Sequence, residues 1–271
     1  MNTAIFYENF LEGIQKDGLS ERETLAEFKA MGLNKVYMSL QTLTEREAEL
    51  LALLGELDLG IEGLFWFFDF GHHPEDMHWK DLIDAVVRGG AKSALIVPGM
   101  LPEVDLSWRE ECLENMAAAL AKAVAYGKEK HVDVVMEDFD SLDAPYCSVA
   151  GLRWFMDQVD GLGCCFDTGN FIMLDEDELE AFDIFKDKIA LVHLKDRARH
   201  PFSPEDKPKA CKDGHNVYAS PVGQGYIRME AVLERLRAMG YAGTVVIENF
   251  DYTDMIAGLR QSLEWLKERG I

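Results

Sequence analysis

The chain has 271 residues, 48% of them hydrophobic and 28% charged, a balance that supports one large core and excludes a disordered chain. Its 27 basic residues face 49 acidic ones, for a net charge of −22. Nucleic acids and anionic membranes are both held by Lys and Arg, so this charge argues against either as a partner.

Short apolar runs alternate with segments of helical period along the whole chain. The runs read as strands are Thr3–Tyr7, Lys35–Leu40, Gly60–Phe67, Ser93–Val97, Asp133–Asp138, Gly163–Asp167, Ile189–Leu194 and Thr244–Glu248. The helical segments are Ser20–Met31, Glu45–Leu54, Met77–Arg88, Trp108–Lys130, Val149–Val159, Asp177–Phe185, Met229–Met239 and Thr253–Arg269. Ser20-Glu21-Arg22-Glu23 and Thr44-Glu45-Arg46-Glu47 are capping boxes, and Gly32, Gly55 and Gly240 stand near the far ends of three helices.

Eight strand–helix units in about 270 residues predict an α/β fold, a (β/α)8 TIM barrel forming one domain over residues 1–271. A doubly wound sheet is disfavoured because no Gly-x-Gly-x-x-Gly follows an early strand. Between Leu194 and Met229 the rhythm breaks into a long segment with Pro201, Pro204, Pro208, Gly214, Pro221, Gly223 and Gly225, expected to be a lid. The start, Met1-Asn2-Thr3-Ala4-Ile5, lacks a basic and apolar leader, and no apolar run has the length of a membrane span. Cys112, Cys147, Cys164, Cys165 and Cys211 form no Cys-x-x-Cys and read as reduced thiols, which places the protein in the cytoplasm.

Chemistry in such a barrel sits at the carboxyl ends of the strands. Four consecutive strands finish with a group able to bind metal: Glu137, Asp167, His193 and Glu248. An ionised group at the end of an apolar strand is costly to bury alone, and one divalent cation offsets that cost for the whole set. Three carboxylates and an imidazole suit a hard ion, Mn²⁺ first, with Mg²⁺, Co²⁺ or Zn²⁺ compatible. Trp66, in the aromatic run Phe65-Trp66-Phe67-Phe68, is a candidate wall against the apolar face of a ligand. Tyr7 and Glu8, at the end of the first strand, are further candidates.

These strand ends, with Asp167-Thr168-Gly169, His193-Leu194-Lys195-Asp196 and Ile247-Glu248-Asn249, resemble the sugar-phosphate isomerase/epimerase family. These xylose-isomerase-like barrels include D-tagatose 3-epimerase, hydroxypyruvate isomerase and inosose dehydratase. The resemblance follows the element order of the whole chain and is most specific in its carboxyl half. It implies that Glu137, Asp167, His193 and Glu248 bind one divalent metal, and that Glu137 and Glu248 are the acid/base pair of a proton transfer through a metal-stabilised enediolate. It also implies substrate contacts from Arg199, six residues beyond His193, and from Asp143, six beyond Glu137. The epimerases carry a histidine where this chain has Asn170, which can hydrogen-bond a sugar hydroxyl but cannot titrate.

The activity so implied is isomerisation or epimerisation of a small carbohydrate, a ketose or polyol. A keto-polyol dehydratase begins with the same proton abstraction, and a sugar-binding barrel without turnover is the alternative outside enzymes. The trinuclear zinc endonucleases of the same fold need further histidines, which the ends at Phe67, Val97 and Asn170 lack. Asp213-Gly214-His215 reads as a solvated turn, not a second metal pair. A small-molecule substrate is therefore the expected partner, and barrels of this kind often assemble as homo-oligomers.

Overall fold

Each apolar run is bounded by turn residues, too short for a helix, and buried on both faces, which is what a parallel sheet covered by helices requires. The computed structural model describes residues 1–101 and 108–271. From the amino terminus it runs β1 (Asn2–Phe6), β2 (Lys35–Ser39), β3 (Gly60–Phe67), β4 (Ser93–Val97), β5 (Asp133–Glu137), β6 (Gly163–Asp167) and β7 (Ile189–Leu194). The chain then adds β8 (Asp196–Ala198), β9 (Lys209–Ala210) and β10 (Asn216–Ser220) before returning with β11 (Thr244–Ile247). β1 to β7 and β11 pair in parallel in the order β1-β11-β7-β6-β5-β4-β3-β2 and close into a barrel. The seam is the pairing of Thr3 with Val245 and of Ile5 with Ile247. This is the predicted (β/α)8 architecture.

The outer layer consists of α1 (Tyr7–Asp17), α2 (Glu21–Met31), α3 (Leu40–Glu56), α4 (Trp79–Arg88), α5 (Arg109–Lys130), α6 (Val149–Gln158), α7 (Glu178–Phe185), α8 (Met229–Ala238) and α9 (Met255–Glu268). Their starts follow the capping residues. Ser20 accepts the amide of Glu23, and Asp177 Oδ1 accepts those of Leu179 and Glu180 at 2.9 and 3.0 Å. α2 buries Leu25 and Phe28 completely, each stabilising the fold by about 1.5–3 kcal/mol. Among the described residues no helix is long and apolar enough to cross a membrane, and all five cysteines are buried and free.

The structure corrects the sequence reading at three places. α1 was not expected. It starts directly at Tyr7, with Phe6 offering no side-chain cap, so no start signal is written there. α3 begins at Leu40, capped by Ser39, and is interrupted at Arg46 (φ −135°, ψ 25°). The second capping box therefore marks a kink inside a helix, and the Thr44 hydroxyl donates back to Leu40 O at 2.7 Å. The segment between β7 and α8 is not an irregular lid: β8, β10 and β9 form a three-stranded antiparallel sheet beside the barrel.

Asp196 anchors that small sheet. Its buried carboxylate accepts the amides of Arg197 (2.8 Å), Gly223 (2.8 Å), Gly225 (2.9 Å) and Ile227 (3.3 Å), folding residues 221–227 against β8. Glycine is needed here, because Gly223 has φ +83° and a Cβ would lie 2.1 Å from Trp265 Nε1.

Candidate active site

Side chains on a strand alternate between the barrel axis and the helices, so register decides which groups meet. β6 and β7 pair Cys164 with Ile189 but Cys165 with Leu191, a one-residue shift that sets Asp167 opposite His193. Without it Asp167 would face Val192, and the polar set would be split between faces. Glu137 pairs with Cys165 on the next strand, and the amide of Glu248, two residues beyond the partner of His193, bonds Leu194 O at 3.1 Å. Thr168 fastens the two strand ends, donating to Lys195 O and accepting from Lys195 N. Gly169 permits that approach, since a Cβ there would fall 2.4 Å from Lys195 O.

These registers bring Glu137, Asp167, His193 and Glu248 together. One ligand atom from each lies within 4.8 Å of all the others, and all four residues are buried. His193 Nδ1 is 3.0 Å from Glu137 Oε2 and 3.1 Å from Glu248 Oε2. Its ring is held edge-on by Phe6 and Tyr37, with centroids 4.9 and 5.1 Å away. Glu137 Oε2, Asp167 Oδ2, Glu248 Oε2 and both His193 ring nitrogens are buried and, despite these close approaches, make no aligned hydrogen bond. Five such orphans converging on one point are costly unless a cation satisfies them together. The donor set fits a divalent ion.

Lys195, two residues beyond His193 and on the same face, reaches into this cluster. Its Nζ lies 2.5 Å from Glu248 Oε1 and 3.2 Å from Asp167 Oδ2, and it donates to Asn170 Oδ1 at 2.9 Å. Burial pushes Asp167 up to about 7 although Lys195 pulls the other way. Burial acts on Glu248 too, but Lys195 and His193 outweigh it and hold that carboxylate at about 2. Burial raises Glu137, and it raises Asp138 well above the carboxylate range with help from Asp167 and Glu137.

A cavity of about 390 Å³ opens above the cluster. Glu137, Lys195 and Glu248 line its floor, and Phe6, Phe65, Phe67, Phe139 and Phe250 line its wall with Leu95 and Val97. Glu8, Asp140, Lys209 and Asp251 complete the lining. Asp140 is engaged: its Oδ2 receives Arg197 at 2.8 Å, also receives Lys209 from the small sheet, and lies 3.6 Å from Lys195. Burial works to raise Asp140, yet these three cations together keep it well below the ordinary carboxylate range.

The remaining expected substrate contacts lie elsewhere. Tyr7 turns into the helical layer, stacks on Phe10 and donates its hydroxyl to Glu21. Trp66 packs outward against the core, because the inward positions of β3 belong to Phe65 and Phe67. Asn170 sits behind the cluster, donating to Asp138 O at 2.6 Å and accepting from Lys195. Asp143 is exposed on the β5–α6 loop, where its carbonyl accepts the amide of Leu101. Arg199 is exposed and stacks on Tyr226 at 4.6 Å, whereas Arg197 is the buried arginine of that strand. In the Asp213-Gly214-His215 turn the imidazole bonds Asp213 alone.

The sequence matches a family model described as the xylose isomerase-like TIM barrel over residues 25–269. The chain belongs to this family. Within it, 98 residues are 29% identical to inosose dehydratase of Lacticaseibacillus casei, a match spanning 34% of this chain and only 32% of that relative. The fold matches the probable 3-DHS dehydratase AsbF of Bacillus anthracis with a TM-score of 0.74, at 15% identity over 99% of this chain and 100% of that one. It matches the IolI protein with a bound zinc atom equally well (TM-score 0.74, 16% identity, 99% and 97% covered). D-Psicose 3-epimerase of Clostridium cellulolyticum H10 gives a TM-score of 0.71 at 12% identity, with 99% of both chains covered. The xylose isomerase-like barrel thus has epimerases and dehydratases among its neighbours.

Proposed function

We propose that the chain is a divalent-metal-dependent isomerase or epimerase of a small carbohydrate, a ketose or polyol, moving a proton on carbon next to a carbonyl. The observation that carries this reading is the convergence of four buried ligand groups, each with a polar atom left without a hydrogen bond, beneath one cavity. Glu137, Asp167, His193 and Glu248 would hold the cation, with Mn²⁺ favoured by the oxygen-rich set and Mg²⁺, Co²⁺ or Zn²⁺ as alternatives. When bound, it supplies positive charge against the substrate oxygens on which negative charge develops.

The chain's own residues carry the proton. Glu248, on the cavity floor 2.5 Å from Lys195, is the group that takes the proton from carbon. Glu137, across β6 and β7 and raised by burial, returns one from the other side. Such positioned carboxylates contribute about 10²–10⁴-fold in rate. Phe6 and Tyr37 fix the imidazole, and the phenylalanine wall keeps water from the carbanion-like species.

A dehydratase is the second reading. It is favoured by Lys195, whose ammonium lines the cavity floor and can protonate a departing hydroxyl after the same first step. One experiment serves both. Metal-loaded protein in D₂O is given ketoses and inososes and followed by NMR. Deuterium entering the carbon beside the carbonyl supports an isomerase or epimerase, and an unsaturated ketone supports the lyase. Glu248→Gln should lower either signal by about 10²-fold or more while the fold persists. Full activity in that variant removes Glu248 from the chemistry, and absence of exchange with every ketone sinks the reading.

A further inference from the structure

The cavity wall says more about the substrate than the floor does. Five phenylalanines form a chain of ring contacts around it, three edge-to-face and one tilted: Phe250 against Phe6 (5.2 Å), Phe6 against Phe65 (5.6 Å, the tilted pair), Phe65 against Phe67 (6.1 Å) and Phe67 against Phe139 (5.8 Å). Among the described residues lining the cavity there is no Ser, Thr, Asn, Gln, Tyr, Trp or His. Most of the charged lining is already engaged, Asp251 being the exposed exception. Glu137, Glu248 and Lys195 belong to the reactive cluster, and Asp140 and Lys209 hold one another. Glu8 spends Oε1 on the Ser39 amide and the Thr42 hydroxyl, leaving Oε2 without a partner. A free ketohexose in this space would leave several hydroxyls facing rings, and each buried hydroxyl without a partner weakens binding.

We infer that the substrate is an α-hydroxyketone, or a keto sugar, that carries an aryl or comparably apolar substituent. Its oxygen-bearing end lies on the carboxylate floor, and its substituent lies among Phe6, Phe65, Phe67, Phe139 and Phe250. The inference rests on the proton-transfer reading for the oxygen-bearing end, and on the wall alone for the apolar one. Phe67 and Phe250 are 49% and 36% exposed, so they stand at the mouth, where an incoming ring would cover them.

Two ketones with the same reactive end separate the possibilities: 2-hydroxyacetophenone and dihydroxyacetone, with D-fructose as the polyhydroxylated comparison. Dissociation constants are measured on Zn²⁺-loaded protein by saturation-transfer NMR, and exchange of the hydroxymethylene hydrogens is followed in D₂O. In that exchange the C–H electron pair moves into the enediolate, the proton goes to a carboxylate, and a solvent deuteron returns to the same carbon. The phenyl ketone should bind at least about tenfold more tightly than either comparison. Phe67→Ser and Phe250→Ser, both at exposed positions that tolerate the change, should weaken the phenyl ketone several-fold more than dihydroxyacetone. Equal or tighter binding of D-fructose, or equal losses for both ketones, overturns the inference. Phenyl preference without any exchange would leave the apolar subsite standing and remove the proton-transfer reading. Exchange without phenyl preference would do the reverse.

Discussion

His193 is the residue on which the candidate cluster turns, because its Nδ1 stands within 3.1 Å of two carboxylates from different strands. Binding that favours the folded state stabilises it by about 2.7 kcal/mol at 100 times the dissociation constant. For a chain of this size that corresponds to about 5–10 °C in melting temperature. Stripped protein should show such a rise on adding Mn²⁺ or Zn²⁺ in differential scanning calorimetry, and His193→Ala should lose most of it. Asp140 gives a second expectation. Its carboxylate is depressed by Lys195, Arg197 and Lys209, so its stabilisation is complete above the unfolded value of about pH 4 and fades as pH falls through the lower folded value. Asp140→Asn should cost about 2–3 kcal/mol in urea unfolding at neutral pH, and the gap to wild type should narrow below about pH 4. A gap independent of pH would show that the loss is packing. At this scale the ligand cluster was legible, since four strands end in polar groups whatever the loops do. Arg199, Asp143 and Asn170 were placed by counting from family positions, and a count does not follow the path of a loop. Trp66 was misplaced because the pairing of β2 with β3 shifts between Val36 and Tyr37, which hides the inward parity of β3.

Among elements, the small sheet is the one the sequence could not announce. β9 has two residues and β8 three, too few to show an alternation. What defines it is a single carboxylate, Asp196, with four backbone donors. In Asp196→Asn one oxygen becomes an NH₂ group facing two amides. The expected loss is about 2–3 kcal/mol in urea unfolding. Faster hydrogen exchange should be confined to the four amides that Asp196 accepts, those of Arg197, Gly223, Gly225 and Ile227. Uniformly faster exchange would instead mean that the barrel itself has loosened. The barrel strands were readable to within a residue because each is a short apolar run, and all but β1 and β2 are followed within two residues by Gly, Asp or Asn. α1 was not, because it follows β1 without a spacer or a capping side chain.

On the scale of the whole molecule the net charge of −22 is a self-repulsion that the fold must withstand. Raising NaCl from about 10 mM to about 150 mM shortens the screening length from about 30 to 8 Å, so the metal-free protein should melt at higher temperature. The same salt should slow capture of a divalent cation in stopped flow, since the field that draws the ion is the field being screened. A melting point indifferent to salt would show that the acidic surface is dispersed enough to cost nothing. Lys195 alters the meaning of that charge at the centre of the barrel. Its ammonium is paired with Glu248 Oε1 and lies 3.2 Å from Asp167 Oδ2, so part of the carboxylate cluster already has a resident counter-charge. An ion entering the cluster therefore meets carboxylates whose negative charge is partly balanced, and must displace or share the ammonium's contacts to bind. The lysine is thus a built-in competitor for the site, holding the cluster together when no ion occupies it.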